Sequence, residues 1–242
     1  MNKFIRLTIV AACGFGMLHA SISALAEAPA FPFGFSGKEV FPIDPQIRQL
    51  RPADLDGDGL LDIALFNPVR ARIALLYNRT GRAIVLSEIS VEDAFGINEL
   101  PPDARFEIKS LPAEISIASF DVADVNDDGR PDIMYYGEPK DLVIHYNAGG
   151  RKWENPVRIP IRDGQVNLNG LVHGDLDGDG DLDLVAAYET DSEIVVYLND
   201  GGGASWTSNT ISIGTPYGMD LGDYDHDGDL DITSGSASGD HG

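Results

Sequence analysis

The segment Asp175-Leu176-Asp177-Gly178-Asp179-Gly180-Asp181-Leu182-Asp183 is one of four copies of a single acidic pattern. The other copies run over 54–62, 124–132 and 223–231, with acidic or amide side chains at positions 1, 3, 5 and 9 and glycine at position 6. Their first residues lie 70, 51 and 48 residues apart along the chain. A period near 50 residues in a β-type sequence is typical of propeller blades and related repeat arrays. The sequence therefore predicts a repeat protein.

Apolar runs recur around each acidic segment. One run follows the segment directly, as at 63–66, and a second, as at 73–77, ends in an asparagine before a glycine-containing turn. A further strand is marked by Trp153 in one unit and Trp206 in another. The unit is thus strand, acidic loop, strand, short turn, strand, Asn/Gly turn, strand, which is a four-stranded antiparallel meander. We predict an all-β fold, a β-propeller with about three and a half blades present, and hence a fragment of a longer ring.

The repeat also predicts the domain organisation. Residues 27–242 form the propeller repeats, with an insertion at about 87–118 where extra proline and acidic residues occur. The four units are expected at about 33–90, 106–161, 162–213 and 214–242.

The spacing of oxygen donors in the acidic segments suits one hard cation. Side chains at positions 1, 3, 5 and 9 and the backbone carbonyl at position 7 would supply the ligands, and glycine at position 6 allows the positive φ that folds the loop. We therefore predict up to four calcium ions, one per loop. We expect the side chain at position 7 to be immaterial, because only its carbonyl binds. The predicted ligands are Asp54, Asp56, Asp58, Leu60 and Asp62; Asp124, Asn126, Asp128, Arg130 and Asp132; Asp175, Asp177, Asp179, Asp181 and Asp183; and Asp223, Asp225, Asp227, Asp229 and Asp231.

Other interpretations of these loops fit less well. An EF-hand needs a glutamate at position 12, where this chain has Leu65, Tyr135, Ala186 and Ser234. Magnesium rarely takes an all-protein cage, and zinc prefers histidine or cysteine, of which the loops contain only His226. A simple Asp-Gly hairpin turn requires one aspartate, not several spaced carboxylates in four segments.

The N-terminal 26 residues have the features of a secretory signal peptide. Lys3 and Arg6 precede an apolar stretch over 7–18, and Ala24-Leu25-Ala26 matches a small-residue cleavage site. A second interpretation is a lipobox ending at Cys13, although the apolar stretch before it is very short. We expect cleavage after Ala26 and a secreted, periplasmic or cell-surface protein without a transmembrane anchor in the mature chain.

The charge of the chain excludes one class of partner. With 17 Lys and Arg against 39 Asp and Glu, the formal net charge is −22. Nucleic-acid binding requires basic residues against the phosphate backbone, so we expect no nucleic-acid partner. The four loops hold 18 of the aspartates, and each bound calcium would offset two units of their charge.

The acidic loops within β-type units resemble FG-GAP/VCBS repeats, which also occur in integrin α-chain propellers. The resemblance covers about 33–242 and is carried by segments such as Asp121-Val-Ala-Asp124 and Gly174-Asp175-Leu-Asp177. It implies a seven-bladed or similar propeller with calcium in a hairpin loop of each bearing blade. The Phe-Gly and Gly-Ala-Pro elements are poorly kept, which favours the VCBS-like branch. Such repeats occur in adhesins, in polysaccharide-acting enzymes and in other exported proteins, so the resemblance implies no single activity.

No catalytic motif accompanies the repeats. The sequence has neither Gly-x-Ser-x-Gly nor His-Glu-x-x-His, and we expect His145 and His173 to be packed or rim residues. We therefore predict a calcium-binding binding or adhesion module with an extracellular protein or polysaccharide as partner. The alternatives are the propeller part of a polysaccharide lyase or hydrolase, and a purely structural repeat of a large surface protein.

Overall fold

The computed structural model describes residue 41, residue 43 and residues 46–67, 71–81, 104–161 and 170–236. All of them lie in one compact unit, Phe41–Gly242. The predicted signal peptide at 1–26, including Cys13, lies outside the described residues. Within the described part of the chain, no helix has the length and apolar character needed to cross a membrane.

The first sheet has four antiparallel strands that follow one another in chain order. They are β1 (Arg48–Ala53), β2 (Asp62–Asn67), β3 (Arg72–Asn78) and β4 (Phe106–Pro112).

The second sheet repeats this meander, with a small two-stranded hairpin inserted before its last strand. Its spatial order is β5-β6-β7-β10, while β8 pairs only with β9. The strands are β5 (Ser116–Ala123), β6 (Asp132–Glu138), β7 (Asp141–His145), β8 (Asn147–Gly149), β9 (Lys152–Trp153) and β10 (Val157–Pro160).

The third sheet is again a four-stranded antiparallel meander, and a two-stranded sheet follows it. The third sheet contains β11 (Leu171–Gly174), β12 (Asp183–Tyr188), β13 (Glu193–Asn199) and β14 (Trp206–Ser212), and the fourth contains β15 (Pro216–Gly222) and β16 (Asp231–Ser236).

Neighbouring sheets pack face to face, so the middle strands are buried on both sides. Every residue of β12 is buried, for example, whereas β14 on the outside of the same sheet is largely exposed. Aromatic side chains join the sheets: Phe66 meets Phe120 edge-on at 5.5 Å between ring centroids, and Tyr136 meets Tyr188 at 5.8 Å. Burial on both faces explains why these strands are continuously apolar rather than alternating.

The first strands of neighbouring sheets contact one another, β1 with β5, β5 with β11, and β11 with β15. Each four-stranded sheet therefore has its first strand innermost and its fourth strand outermost, which is the arrangement of propeller blades. The predicted fold class, all-β with four-stranded antiparallel blades, is confirmed. That the chain is part of a longer ring stays a prediction.

The predicted insertion at 87–118 is wrong at its C-terminal end. Strand β4 (Phe106–Pro112) completes the first sheet by pairing with β3, and the second sheet begins at Ser116. The first unit therefore extends to Pro112 instead of ending near residue 90, and the second does not begin at 106. Phe106 and Ile108 alternate with Glu107 and Lys109 as expected for an outer strand, but the nearby prolines and acidic residues obscured this pattern.

Candidate metal centres in the acidic loops

Each acidic loop joins the first strand of its sheet to the second, so all four occupy equivalent positions in their blades. The carboxylate at position 1 folds the loop by accepting backbone N–H groups. In the first loop, Asp54 Oδ1 accepts from Gly57 and Asp58 at 2.9 and 3.1 Å, and Oδ2 accepts from Gly59 at 2.8 Å. The equivalent acceptors in the other loops are Asp124, Asp175 and Asp223.

Glycine at position 6 adopts the left-handed conformation in every loop, with φ of 84° at Gly59 and 98° at Gly180, as predicted. A Cβ at either glycine would have nothing within 4 Å, so the backbone angle, not lack of space, selects glycine. Position 4 is also left-handed, which the sequence analysis missed. The sequence indicated a positive φ at position 4 only weakly, because two of the four residues there are not glycine. The four residues are Gly57, Asp127, Gly178 and His226.

The carboxylate at position 9 is a structural acceptor as well as a candidate ligand. Asp183 is fully buried, and its Oδ2 accepts the N–H of Leu176 at 2.8 Å while its Oδ1 accepts the N–H of Asn199 at 2.9 Å. Asp62 and Asp132 make the same two bonds in their sheets. Position 9 thus ties the loop to the end of the third strand.

Burial and crowding of negative charge raise the pKa of these carboxyls. For Asp132, desolvation is the main cause; the carboxylates of Asp128 and Asp124 add to it, and backbone N–H groups oppose it, giving a pKa of about 6. Desolvation likewise raises the pKa of Asp62 and Asp183, with loop carboxylates adding to it. The loops therefore concentrate negative charge where a cation would relieve it.

Three of the loops bring carboxylates together at a distance suited to one ion. In each, three carboxylate oxygens from different residues lie within 4.8 Å of one another. Oxygens bound to a single calcium at about 2.3–2.6 Å lie at most ~5 Å apart, so these groups fit the ion. The groups are Asp54, Asp56 and Asp58; Asp175, Asp177 and Asp183; and Asp223, Asp225 and Asp231.

The second loop is different. Arg130 at position 7 places Nη2 2.5 Å from Asp128 Oδ2 and donates from Nε to the carbonyl of Asn147 at 2.7 Å. Each converging group in the other loops includes the aspartate at position 3, which is Asn126 in this loop, so among the described residues the second loop has no equivalent group of three carboxylates. The long basic side chain at position 7 thus reaches back to the carboxylate at position 5, a contact that the sequence analysis did not expect. Metal binding by the carbonyl of Arg130 stays a prediction.

An arginine from the β8–β9 hairpin reaches the first loop. The guanidinium of Arg151 contacts Asp56 Oδ2 through Nε and Nη2 at 2.8 and 2.7 Å and Glu107 Oε2 through Nη1 at 2.9 Å. It also lies over the ring of Tyr77, 4.2 Å from the centroid. Sequence reasoning missed this contact because it joins residues 95 positions apart.

The asparagine at the end of the third strand connects neighbouring blades in the second and third sheets. Asn147 Nδ2 donates to the carbonyls of Pro131 in its own sheet and of Leu55 in the preceding loop, at 3.1 and 2.9 Å. Asn199 does the same with Leu182 and Val125. The nearly constant distance of these asparagines from the acidic loops was visible in the sequence, but it indicated only a turn.

His145 is buried and His173 is half-buried, and neither of them lies in an acidic loop. His145 Nε2 is 3.0 Å from Tyr135 Oη, and burial lowers the pKa of this histidine to about 4. His173 Nδ1 lies 2.8 Å from Oδ2 of Asp121, whose Oδ1 accepts from Arg51 Nε at 2.7 Å. This ion cluster links β1, β5 and β11, the innermost strands of three sheets.

The ion cluster predicts a pH dependence of stability. Burial alone would raise the pKa of Asp121, but His173 and Arg51 outweigh it and hold the pKa below its ordinary value of 3.8. A depressed carboxyl pKa stabilises the fold above pH 3.8, and this stabilisation is lost as the pH falls through the folded-state pKa. We expect Asp121→Asn to lower the free energy of unfolding at pH 7 by about 1–3 kcal/mol and to show less additional loss below pH 4, as measured by urea unfolding across pH. Parallel pH profiles of the two proteins would contradict this assignment.

Comparison with known proteins supports the repeat assignment. A family model described as FG-GAP-like repeat matches residues 124–186 and 175–234. FG-GAP-like repeats are thus detected over residues 124–234, as predicted. The loop at 54–62 lies outside the matched residues but shares their geometry. A search of curated proteins found no match to the chain.

Two solved structures, both of BBS1N in complex with ARL6DN, are similar to this chain. The form soaked with mercury is 13% identical with a TM-score of 0.46, covering 76% of this chain and 45% of the other. The form soaked with lead is 14% identical with a TM-score of 0.49, covering 81% of this chain and 53% of the other. The present chain thus spans about half the length of these matched structures.

Proposed function

We propose that this protein is an exported calcium-binding β-propeller that acts as a binding or adhesion module. The observation that carries the calcium proposal is the convergence of Asp175, Asp177 and Asp183, whose carboxylate oxygens lie within 4.8 Å of one another. One of the three is fully buried, and burial with neighbouring carboxylates raises its pKa. A bound metal cation would neutralise this carboxylate group in place of a proton.

The chemistry of the donors favours calcium. All side-chain donors of the third loop are carboxylates, and calcium accepts six to eight oxygen ligands with flexible geometry. The loop is also exposed enough for water to complete the coordination. Extracellular calcium modules commonly bind at about 10⁻⁴–10⁻³ M, which suits the exported location that the N-terminal segment predicts.

The blade architecture supports a role in binding. The acidic loops lie at equivalent ends of sheets that share buried cores, and loops on a rigid scaffold commonly form recognition surfaces. We propose an extracellular protein or polysaccharide as the partner.

Calcium titration of metal-free protein by isothermal calorimetry tests the metal proposal. We expect binding with a Kd of about 10⁻⁴–10⁻³ M. Asp177→Asn with Asp179→Asn should abolish the third site, because both changes remove carboxylate charge from one loop. Asp191→Asn is the matched control, since Asp191 is an exposed acid in the same sheet outside the loop. No calcium binding by the wild-type protein would refute the metal proposal.

The module role is tested separately with immobilised polysaccharides and extracellular proteins, in calcium and in chelator. Calcium-dependent retention without turnover would support the module. Turnover of a polysaccharide that is lost when carboxylates on the loop face are changed would instead indicate an enzyme.

A further inference from the structure

The four acidic loops differ in the positive charge that reaches them. The second loop carries its own arginine at position 7, and the first is contacted by an arginine of the β8–β9 hairpin. The third and fourth loops each contain five aspartates and neither lysine nor arginine. Among the described residues, no ion pair joins a lysine or arginine to either of these two loops.

In the second loop, Arg130 neutralises the carboxylate at position 5. Its Nη2 is bonded to Asp128 Oδ2, which also accepts from Asn126 Nδ2 at 3.2 Å. The arginine stem runs beside the turn of its own sheet, since a Cβ at Gly149 would lie 3.4 Å from Arg130 Cδ. For calcium to use Asp128 and Asn126 together, this guanidinium would have to leave.

In the first loop, Arg151 neutralises the carboxylate at position 3. Two of its nitrogens converge on Asp56 Oδ2, and the side chains of Arg151 and Asp56 are only 23% and 7% exposed. Glu107 and the ring of Tyr77 hold the guanidinium in place from other sides. This contact is therefore much less screened by water than an ordinary surface ion pair.

We propose that Arg130 and Arg151 serve as internal cations for the second and first loops, so that calcium enters only the third and fourth loops at submillimolar concentration. The inference rests on the proposed calcium binding and assigns its stoichiometry. A guanidinium and a calcium ion compete for the negative charge of the same carboxylate, Asp128 or Asp56, whose Oδ2 already accepts a charge-assisted hydrogen bond from the arginine. We expect affinity in these two loops to be lower by at least about tenfold.

Counting bound calcium by equilibrium dialysis tests the proposal. The wild-type protein should bind two ions at submillimolar calcium, Arg130→Gln and Arg151→Gln should each bind three, and the double variant four. Arg158→Gln is the control, because Arg158 pairs with Glu114 and Asp141 outside the loops; it should still bind two. The proposal would be overturned if the wild-type protein bound four calcium ions, or if the folded arginine variants bound no more ions than the wild-type protein.

A second pair of variants gives an answer even if the arginine variants do not fold. Asp177→Asn with Asp225→Asn, one change in each open loop, should remove all submillimolar binding. Asp54→Asn with Asp124→Asn should leave two ions bound, and loss of ions there would overturn the proposal. Absence of binding by the wild-type protein would instead refute the calcium proposal itself, so the two failures are distinguishable.

Discussion

Asp183→Ala is expected to destabilise the protein strongly even when calcium is chelated. The change removes the acceptor for two backbone N–H groups, those of Leu176 and the buried Asn199, that tie the third loop to the end of β13. Each donor left without a partner in the interior costs about 1–3 kcal/mol. We expect a total loss of about 3–5 kcal/mol in the free energy of unfolding, measured by urea denaturation in excess chelator.

Asp177→Ala in the same loop is the matched control. Asp177 Oδ1 accepts only an exposed N–H, that of Asp179, at 3.3 Å. In chelator, this variant should therefore lose no more than about 1 kcal/mol in the free energy of unfolding. In calcium the loss should be larger, because a calcium ligand is missing. If the two variants were equally stable in chelator, position 9 would have no structural role separate from metal binding.

Removal of calcium is expected to lower the thermal stability of the wild-type protein by a large margin. A site with a Kd near 10⁻⁴ M contributes about 2.7 kcal/mol at a hundredfold excess of free calcium. Two such sites contribute ~5 kcal/mol, which corresponds to a shift in Tm of roughly 10–20 °C for a domain of this size. Differential scanning calorimetry in about 10 mM calcium and in chelator measures the shift directly.

The physical reason is that an unfolded chain has no assembled site, so the binding free energy adds to folding stability. Sodium chloride at matched ionic strength is the control for general screening of the negative charge, and it should reproduce only a small part of the shift. Magnesium should also raise Tm less than calcium does, because magnesium loses its hydration water reluctantly. A shift of equal size in sodium chloride would show that screening, not site binding, stabilises the fold.

The local features of this fold could be predicted from the sequence because they depend on spacing within one repeat. The loops, their glycine at position 6 and the apolar strands on either side all follow from short-range chemistry. Asp54, for example, accepts hydrogen bonds from residues only three to five positions away. The strand order of the third blade followed from the same local pattern, with Trp206 on its fourth strand. In the second blade the prediction that Trp153 marks the fourth strand is wrong, because Trp153 lies on β9, which pairs with β8, and β10 is the fourth strand.

Several contacts that escaped prediction depend on how neighbouring blades meet. Arg151 reaches Asp56 across 95 residues, and Asn147 reaches Leu55 across 92. No spacing rule within a repeat reveals such contacts. The cluster of Arg51, Asp121 and His173 was missed for the same reason, since its members come from three different sheets.

Hydrogen exchange tests the central claim most directly because it locates the ion. Exchange of the protein stripped of metal is compared with exchange of the same protein after calcium is added. Calcium bound by the acidic loops should slow exchange of the backbone amides in 175–183 and 223–231, with a smaller change in 124–132, where Arg130 already neutralises Asp128. Unchanged exchange in 175–183 and 223–231 at millimolar calcium would contradict the account.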